Sequence, residues 1–172
     1  MRKVHPMTGL EAHQALPVRT GGVTGRVGSF GYTRVDRDRV RRFHGGVDWP
    51  GDMGQPIFAS HDGTIARAGY QTDENGREVN RGYGQRIYLQ TFLPRGEKLR
   101  TIYAHLSAQL HPVGRAVYAG ELLGWLGQSG NAWNTPPHLH FEVWLNNQRK
   151  NPEWWLHGSP HLEDGIGPED LA

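Results

Sequence analysis

The chain has 172 residues, a formal charge of +2, 36% hydrophobic and 21% charged residues, which bounds one domain with a core of its own. No run of about 18 apolar residues occurs, which excludes a membrane-spanning helix. The absence of cysteine excludes disulfides and thiolate sites, so any bound metal must be held by nitrogen and oxygen. The mildly basic balance favours a polyanionic partner such as a cell wall.

Residues 1–16 read as an N-terminal extension with a short helical turn over 10–16. Their two early basic residues precede no apolar segment, so this stretch is not a signal peptide. Export is then handled elsewhere, a leader lies outside this chain, or delivery is by lysis or a phage particle. From Pro17 a domain of strands and turns is expected to run to residue 156. In "YTRVDRDRVRRFHGG", residues 32–46, arginines alternate with aspartates, which reads as a solvated loop rather than a basic patch. No aromatic-basic motif accompanies it, so no nucleic-acid partner is expected.

"QPIFAS" (55–60) and "GTIARAG" (63–69) flank His61-Asp62 and read as a hairpin. The stretch 71–84 is a polar loop. "GQRIYLQTF" (84–92) and "LRTIYAHL" (99–106) are strands, joined by a turn at "LPRGEK". Glycines interrupt any helix in "RAVYAGELLGWLG" (115–127), and the irregular loop 127–137 leads into the strand "HLHFEVWL". A turn, a short last strand and a surface tail over 157–172 close the chain. With 24 glycines and 11 prolines, the expected class is all-β and mostly antiparallel.

The ten histidines carry unequal information. Those at 5, 13, 157 and 161 lie in the extensions, and His61 and His111 read as structural. In the strand at 138–145, alternation puts Leu139, Phe141 and Val143 on one face and His138, His140 and Glu142 on the other. Two imidazoles sharing a face can be a metal ligand and its neighbour, solvent-facing polar groups, or a proton relay. Glu142 is either a partner for a histidine N–H or solvent-exposed. Upstream, His44 and Asp48 are four apart in "FHGGVDW", where Gly45 and Gly46 oppose a helix and permit a bend that brings both side chains to one ion. One His, one Asp and a second His make a three-ligand set with a fourth tetrahedral position for water. In "LRTIYAHL", alternation groups His105 with Thr101 and Tyr103 on a polar face. There it is either a surface residue or a base near the metal.

In this order, "HGGVDW", "QPIFASHDGTI", "YAHLS", "GELLGWLGQSGN" and "PPHLHFEVW" resemble the M23 family of zinc metallopeptidases, of the lysostaphin and LytM type, over about residues 17–155. The resemblance implies a compact antiparallel β-sandwich-type catalytic domain with a groove walled by loops. It implies one Zn²⁺ held by His44, Asp48 and His140, with His105 and His138 as the catalytic pair. The implied substrate is the peptide part of peptidoglycan, with a D-alanyl to diamino-acid cross-link ahead of a glycine bridge. An extracytoplasmic monomer fits that role. Pro136 stands where the family often has glycine, and Asn151 where it often has aspartate. Two other classes compete: a wall-binding or amidase-activating module with vestigial histidines, and a carrier domain whose paired histidines handle phosphate.

Overall fold

The computed structural model describes residues 17–18, 28–93 and 96–153. The helical turn expected over 10–16 and the tail over 157–172 lie outside them. In chain order the strands are β1 (Gly31–Val35), β2 (Arg41–His44), β3 (Val47–Pro50), β4 (Pro56–Phe58), β5 (Gly63–Gly69), β6 (Gln71–Thr72) and β7 (Glu78–Val79). They continue as β8 (Gln85–Phe92), β9 (Lys98–Gln109), β10 (Ala116–Val117), β11 (Leu122–Leu126), β12 (His138–Leu145) and β13 (Gln148–Lys150), with a 3-10 turn at Gly130–Ala132. Every strand pairing among the described residues is antiparallel, as the turn-rich composition predicts.

β9 organises the main sheet. One edge pairs with β8, while the other pairs first with β12 and then, beyond residue 105, with β11. The sheet therefore divides at His105. One leaf is β10-β5-β8-β9-β12, extended by β3 and β13, and the other is β11-β4. Alternating residues of both leaves fill the core between them, among them Ile57, Ile65, Ile87, Leu89, Tyr103, Leu106, Leu123, Leu126, Leu139, Phe141 and Val143.

Two local expectations are corrected. The segments around His61-Asp62 are not a hairpin, because β4 pairs with β11 whereas β5 pairs with β8 and β10. The connection is a buried corner between leaves: Tyr103 Oη accepts the Ser60 N–H at 2.8 Å, and His61 Nε2 lies 3.0 Å from Thr101 Oγ1. His61 and His111 are structural, as expected, the latter donating from Nε2 to the Leu122 carbonyl at 2.9 Å.

The arginine-rich stretch is not a loop either. Its two halves form the β1–β2 hairpin, held by Phe43 packed edge-on against Phe30 and Tyr32 at 5.1 and 5.3 Å. Only the tip is loop-like, with Asp36 accepting the N–H groups of Asp38 and Val40. The polar loop 71–84 carries the short β6–β7 ribbon. The turn predicted between 92 and 99 joins the antiparallel neighbours β8 and β9, and the turn expected before the last strand falls at Asn146-Asn147, between β12 and β13.

Candidate metal centre and groove

β12 does what its alternation predicts. Leu139, Phe141 and Val143 enter the core, and His138, His140 and Glu142 share the opposite face. β3 runs along its edge with Asp48 directly opposite His140. His44, at the end of β2, reaches the same point because the chain passes close beneath β12 at Gly46. A Cβ there would lie 2.4 Å from the Phe141 carbonyl oxygen.

Three donor atoms converge: His44 Nε2 lies 3.1 Å from Asp48 Oδ1, His140 Nδ1 lies 2.9 Å from the same oxygen, and the two ring nitrogens are 3.0 Å apart. Ligand atoms about 2.0–2.1 Å from a tetrahedral ion are spaced about 3.3 Å apart, so the triangle is nearly of that size. The outer nitrogens fix the tautomers. His44 Nδ1 donates to the Ser29 carbonyl at 2.9 Å, and His140 Nε2 donates to Glu142 Oε1 at 3.0 Å. The lone pairs of Nε2 and Nδ1 therefore face one another and a carboxylate oxygen. The Arg34 guanidinium relieves part of that repulsion, donating to Asp48 Oδ2 and lying 2.9 Å from His44 Nε2, and a second proton on His140 or a metal ion among the three atoms would relieve the rest. The nitrogen and oxygen donor set, in a chain without cysteine, fits a borderline divalent metal.

The charges agree with this arrangement. Burial works to raise the Asp48 carboxyl, but the His140 and His44 rings beside it, which in their doubly protonated form donate to it and carry positive charge, outweigh burial and hold the group well below the usual carboxylate range. Burial works to lower His140, and Asp48 and Glu142 on either side overcome it and raise the ring. The same flanking charge that favours a proton on Nδ1 makes that nitrogen a stronger metal donor.

Glu142, left open by the sequence, is buried and not solvent-facing. Its Oε1 accepts from Tyr83 Oη at 2.6 Å as well as from His140, and its Oε2 accepts from Trp144 Nε1 at 2.6 Å and Arg149 Nε at 3.4 Å. With four donors around it, the carboxylate cannot turn away from His140. Despite burial, these donors keep it ionised, with its pKa lowered.

His105 also reaches the centre, but not by the alternation expected of it. Opposite Phe141 and Val143 of β12, Tyr103 and Thr101 face the core, and an unbroken strand would turn His105 inward with them. Between the Tyr103–Ile87 and Leu106–Gln85 pairs, β9 carries one more residue than β8, and His105 takes φ +64°. This bulge carries its ring to the site face, 5.0 Å from the His138 ring. Thr101 and Tyr103 do not lie on a polar face; they join a buried hydrogen-bonded group with Ser60 and His61. His105 Nδ1 donates to the Ser129 carbonyl and His138 Nδ1 to the Pro136 carbonyl, both at 2.9 Å, so each carries its lone pair on Nε2. His138 Nε2 lies 3.9 Å from Asp48 Oδ1. Burial, then repulsion from His140 and His138, lowers His105 to about 4.

Asp48, His105, His138 and His140 line a groove of about 630 Å³. Arg34, Gln71, Gly82 and Tyr83 line it, as do residues 131–132 and 135–137 of the loop before β12. That loop docks where Gly84 and Gly130 meet backbone to backbone; a Cβ on Gly84 would lie 2.3 Å from Gly130 N. Sequence reasoning missed Arg34, whose guanidinium donates to Asp48 Oδ2 and lies 2.9 Å from His44 Nε2. It also missed Tyr83. Both were hidden in stretches whose polarity reads as solvation.

A buried His-Asp-His triangle in a groove, with two further imidazoles beside it, defines a centre of the metallohydrolase type. The family model described as Peptidase family M23 matches residues 42–152, and the chain belongs to that family. DD-carboxypeptidase/endopeptidase Mpg of Neisseria meningitidis is 34% identical over 123 residues, 72% of this chain and 25% of that protein. Peptidoglycan DD-endopeptidase ShyC of Vibrio cholerae is 32% identical over 109 residues, 63% of this chain and 22% of that protein. The chain thus spans about a quarter of the length of these relatives. The solved catalytic domain of the antimicrobial peptidase lysostaphin from Staphylococcus simulans matches with a TM-score of 0.58 at 31% identity, covering 76% of this chain and 89% of that one. The antiparallel β fold expected from the sequence is that of these peptidases. Among the described residues, no helix is long and apolar enough to cross a membrane.

Proposed function

We propose that the chain is a zinc-dependent endopeptidase that hydrolyses peptide bonds in peptidoglycan, with His44, Asp48 and His140 as metal ligands and His105 and His138 as the catalytic pair. One observation carries this reading: three electron-pair donors lie within 3.1 Å of one another, two of them on groove-lining Asp48 and His140, and two more imidazoles present Nε2 beside them. Zn²⁺ held there supplies Lewis-acid polarisation of the scissile carbonyl and brings the pKa of its water towards about 7.

The residues of the chain do the rest. His105, its Nδ1–H fixed on the Ser129 carbonyl, takes a proton from the attacking water at Nε2. His138, on the more open side of the groove, hydrogen-bonds the developing oxyanion or returns a proton to the leaving amine through Nε2. Glu142 holds His140 in the tautomer that leaves Nδ1 for the metal. The names of Mpg and ShyC support a D-alanyl cross-link ahead of a glycine bridge, and so a site of action outside the cytoplasm. The reading takes residues 17–156 as the catalytic domain, acting as a monomer.

Elemental analysis of the purified protein, combined with mass analysis of fragments released from cross-linked wall, tests the proposal. About one tightly held zinc per chain and release of stem-peptide fragments are expected. A protein that binds wall, holds no zinc and releases nothing would instead be a wall-binding or amidase-activating module.

A further inference from the structure

The loop 127–137, "GQSGNAWNTPP", contains a residue that the peptidase reading leaves unused. Trp133 is 72% exposed, a costly position for the largest apolar side chain, and its neighbours Asn131, Ala132 and Thr135 line the groove. It is not on a slack segment. Ala132 is buried and its carbonyl accepts both Thr135 N–H, at 3.0 Å, and Thr135 Oγ1, at 2.9 Å. Asn131 N–H donates to the Gly82 carbonyl across the groove wall at 2.9 Å, and Gln128 Nε2 donates to the Thr135 carbonyl. The indole is therefore presented on a fixed backbone at the rim, with its ordering cost already met in the free protein.

The surroundings specify a ligand chemistry. No residue from 127 to 137 is charged, which disfavours a carboxylate or phosphate partner. The exposed side-chain amides of Asn131 and Asn134 make no hydrogen bond to other described residues. A flat apolar ring with uncommitted amides two residues before it and one after it in the chain suits a neutral pyranose, whose axial C–H face packs on an aromatic plane while its hydroxyl and acetamido groups need donors and acceptors. We infer that Trp133, with Asn131 and Asn134, forms a glycan subsite that grips an N-acetylhexosamine unit of the same strand whose peptide enters the groove. This rests on the peptidoglycan reading for the identity of the strand, not for the chemistry of the subsite.

Two measurements test it. In kinetics, Trp133→Ala should raise KM for a cross-linked, sugar-bearing muropeptide roughly ten-fold with kcat nearly unchanged, and leave the same cross-linked peptide stripped of its sugars unaffected. Trp133→Tyr should recover most of the loss. Equal loss on both substrates, or no loss, overturns the subsite. Independently of hydrolysis, titrating the protein with a β-1,4-linked N-acetylglucosamine tetrasaccharide should shift the Trp133 indole N–H resonance, identified by its disappearance in Trp133→Ala. No shift of that resonance overturns the inference even if peptide is cleaved. A shift in a protein that cleaves no peptide would support the subsite and sink the endopeptidase reading.

Discussion

β12 and β9 lie side by side and both deliver histidines to the candidate metal centre, but by opposite means. β12 uses the regular pleat: His138, His140 and Glu142 share a face because they are two residues apart, and the core residues between them hold that face in register. β9 breaks the pleat. His105 reaches the same face only through an extra residue and a left-handed backbone, at the point where β9 exchanges β12 for β11. The proposed ligand His140 thus comes from a regular strand and the proposed base from a bulged one. A metal ligand needs fixed spacing from its neighbours, which the β12–β3 pairing provides for His140 and Asp48. A base must approach the reacting atoms from another direction, which in this sheet requires the strand to turn.

Substitutions separate the two contributions. His140→Ala, on the regular strand, should remove zinc and activity together, with turnover lowered by more than roughly a thousand-fold and the metal lost on dialysis. His105→Ala should keep zinc at wild-type stoichiometry and lose about 10²–10⁴-fold in kcat. If His105→Ala kept kcat within a few-fold of wild type, the irregular strand would have no catalytic task. Glu142→Gln tests whether the pleat also supplies the positioning carboxylate. A competition assay against a chelator should show zinc affinity down about 10–100-fold, with most of kcat regained at saturating zinc.

The buried corner behind β9 gives a pH test on the core side of the same strand. Burial pushes His61 down to about 4 from 6.5, with Asp62 only partly opposing it. Unfolding therefore takes up a proton between those pH values. The stability that a neutral His61 contributes is complete above 6.5 and is lost as pH falls towards 4, on the order of 3 kcal/mol. Urea midpoints measured across pH 4–7 on wild type and His61→Gln should give a shallower slope for the variant. Parallel slopes would mean that His61 is not held neutral.

Much of this was legible in the sequence, and the division follows the regularity of the backbone. Period-two alternation placed His138, His140 and Glu142 correctly, and Gly45-Gly46 signalled the bend that brings His44 to Asp48. Three features resisted the same logic. The Thr101–Tyr103–His105 grouping failed because one inserted residue inverts a strand's faces, and no local residue type marks the insertion. Arg34 was read as part of a solvated loop because alternating charge says nothing about which arginine turns inward. The corner at His61 looked like a hairpin because a short polar link can as well cross between leaves when Tyr103 and Thr101 supply its hydrogen bonds.

The bulge itself carries the smallest and most specific prediction. At a regular strand position glycine is less stable than alanine, since it leaves more backbone freedom in the unfolded chain. At φ +64° a Cβ crowds the following carbonyl, and glycine escapes that cost. His105→Gly should therefore be more stable than His105→Ala by about 1 kcal/mol, as read from chemical denaturation of metal-free protein. Both variants lack the imidazole, so the difference isolates the backbone. At Arg100, earlier on the same strand and paired in register with Trp144, the order should reverse. If alanine were the better residue at both positions, β9 would run unbroken through 105, His105 would face the core with Tyr103, and its assignment as the base would fall with the bulge.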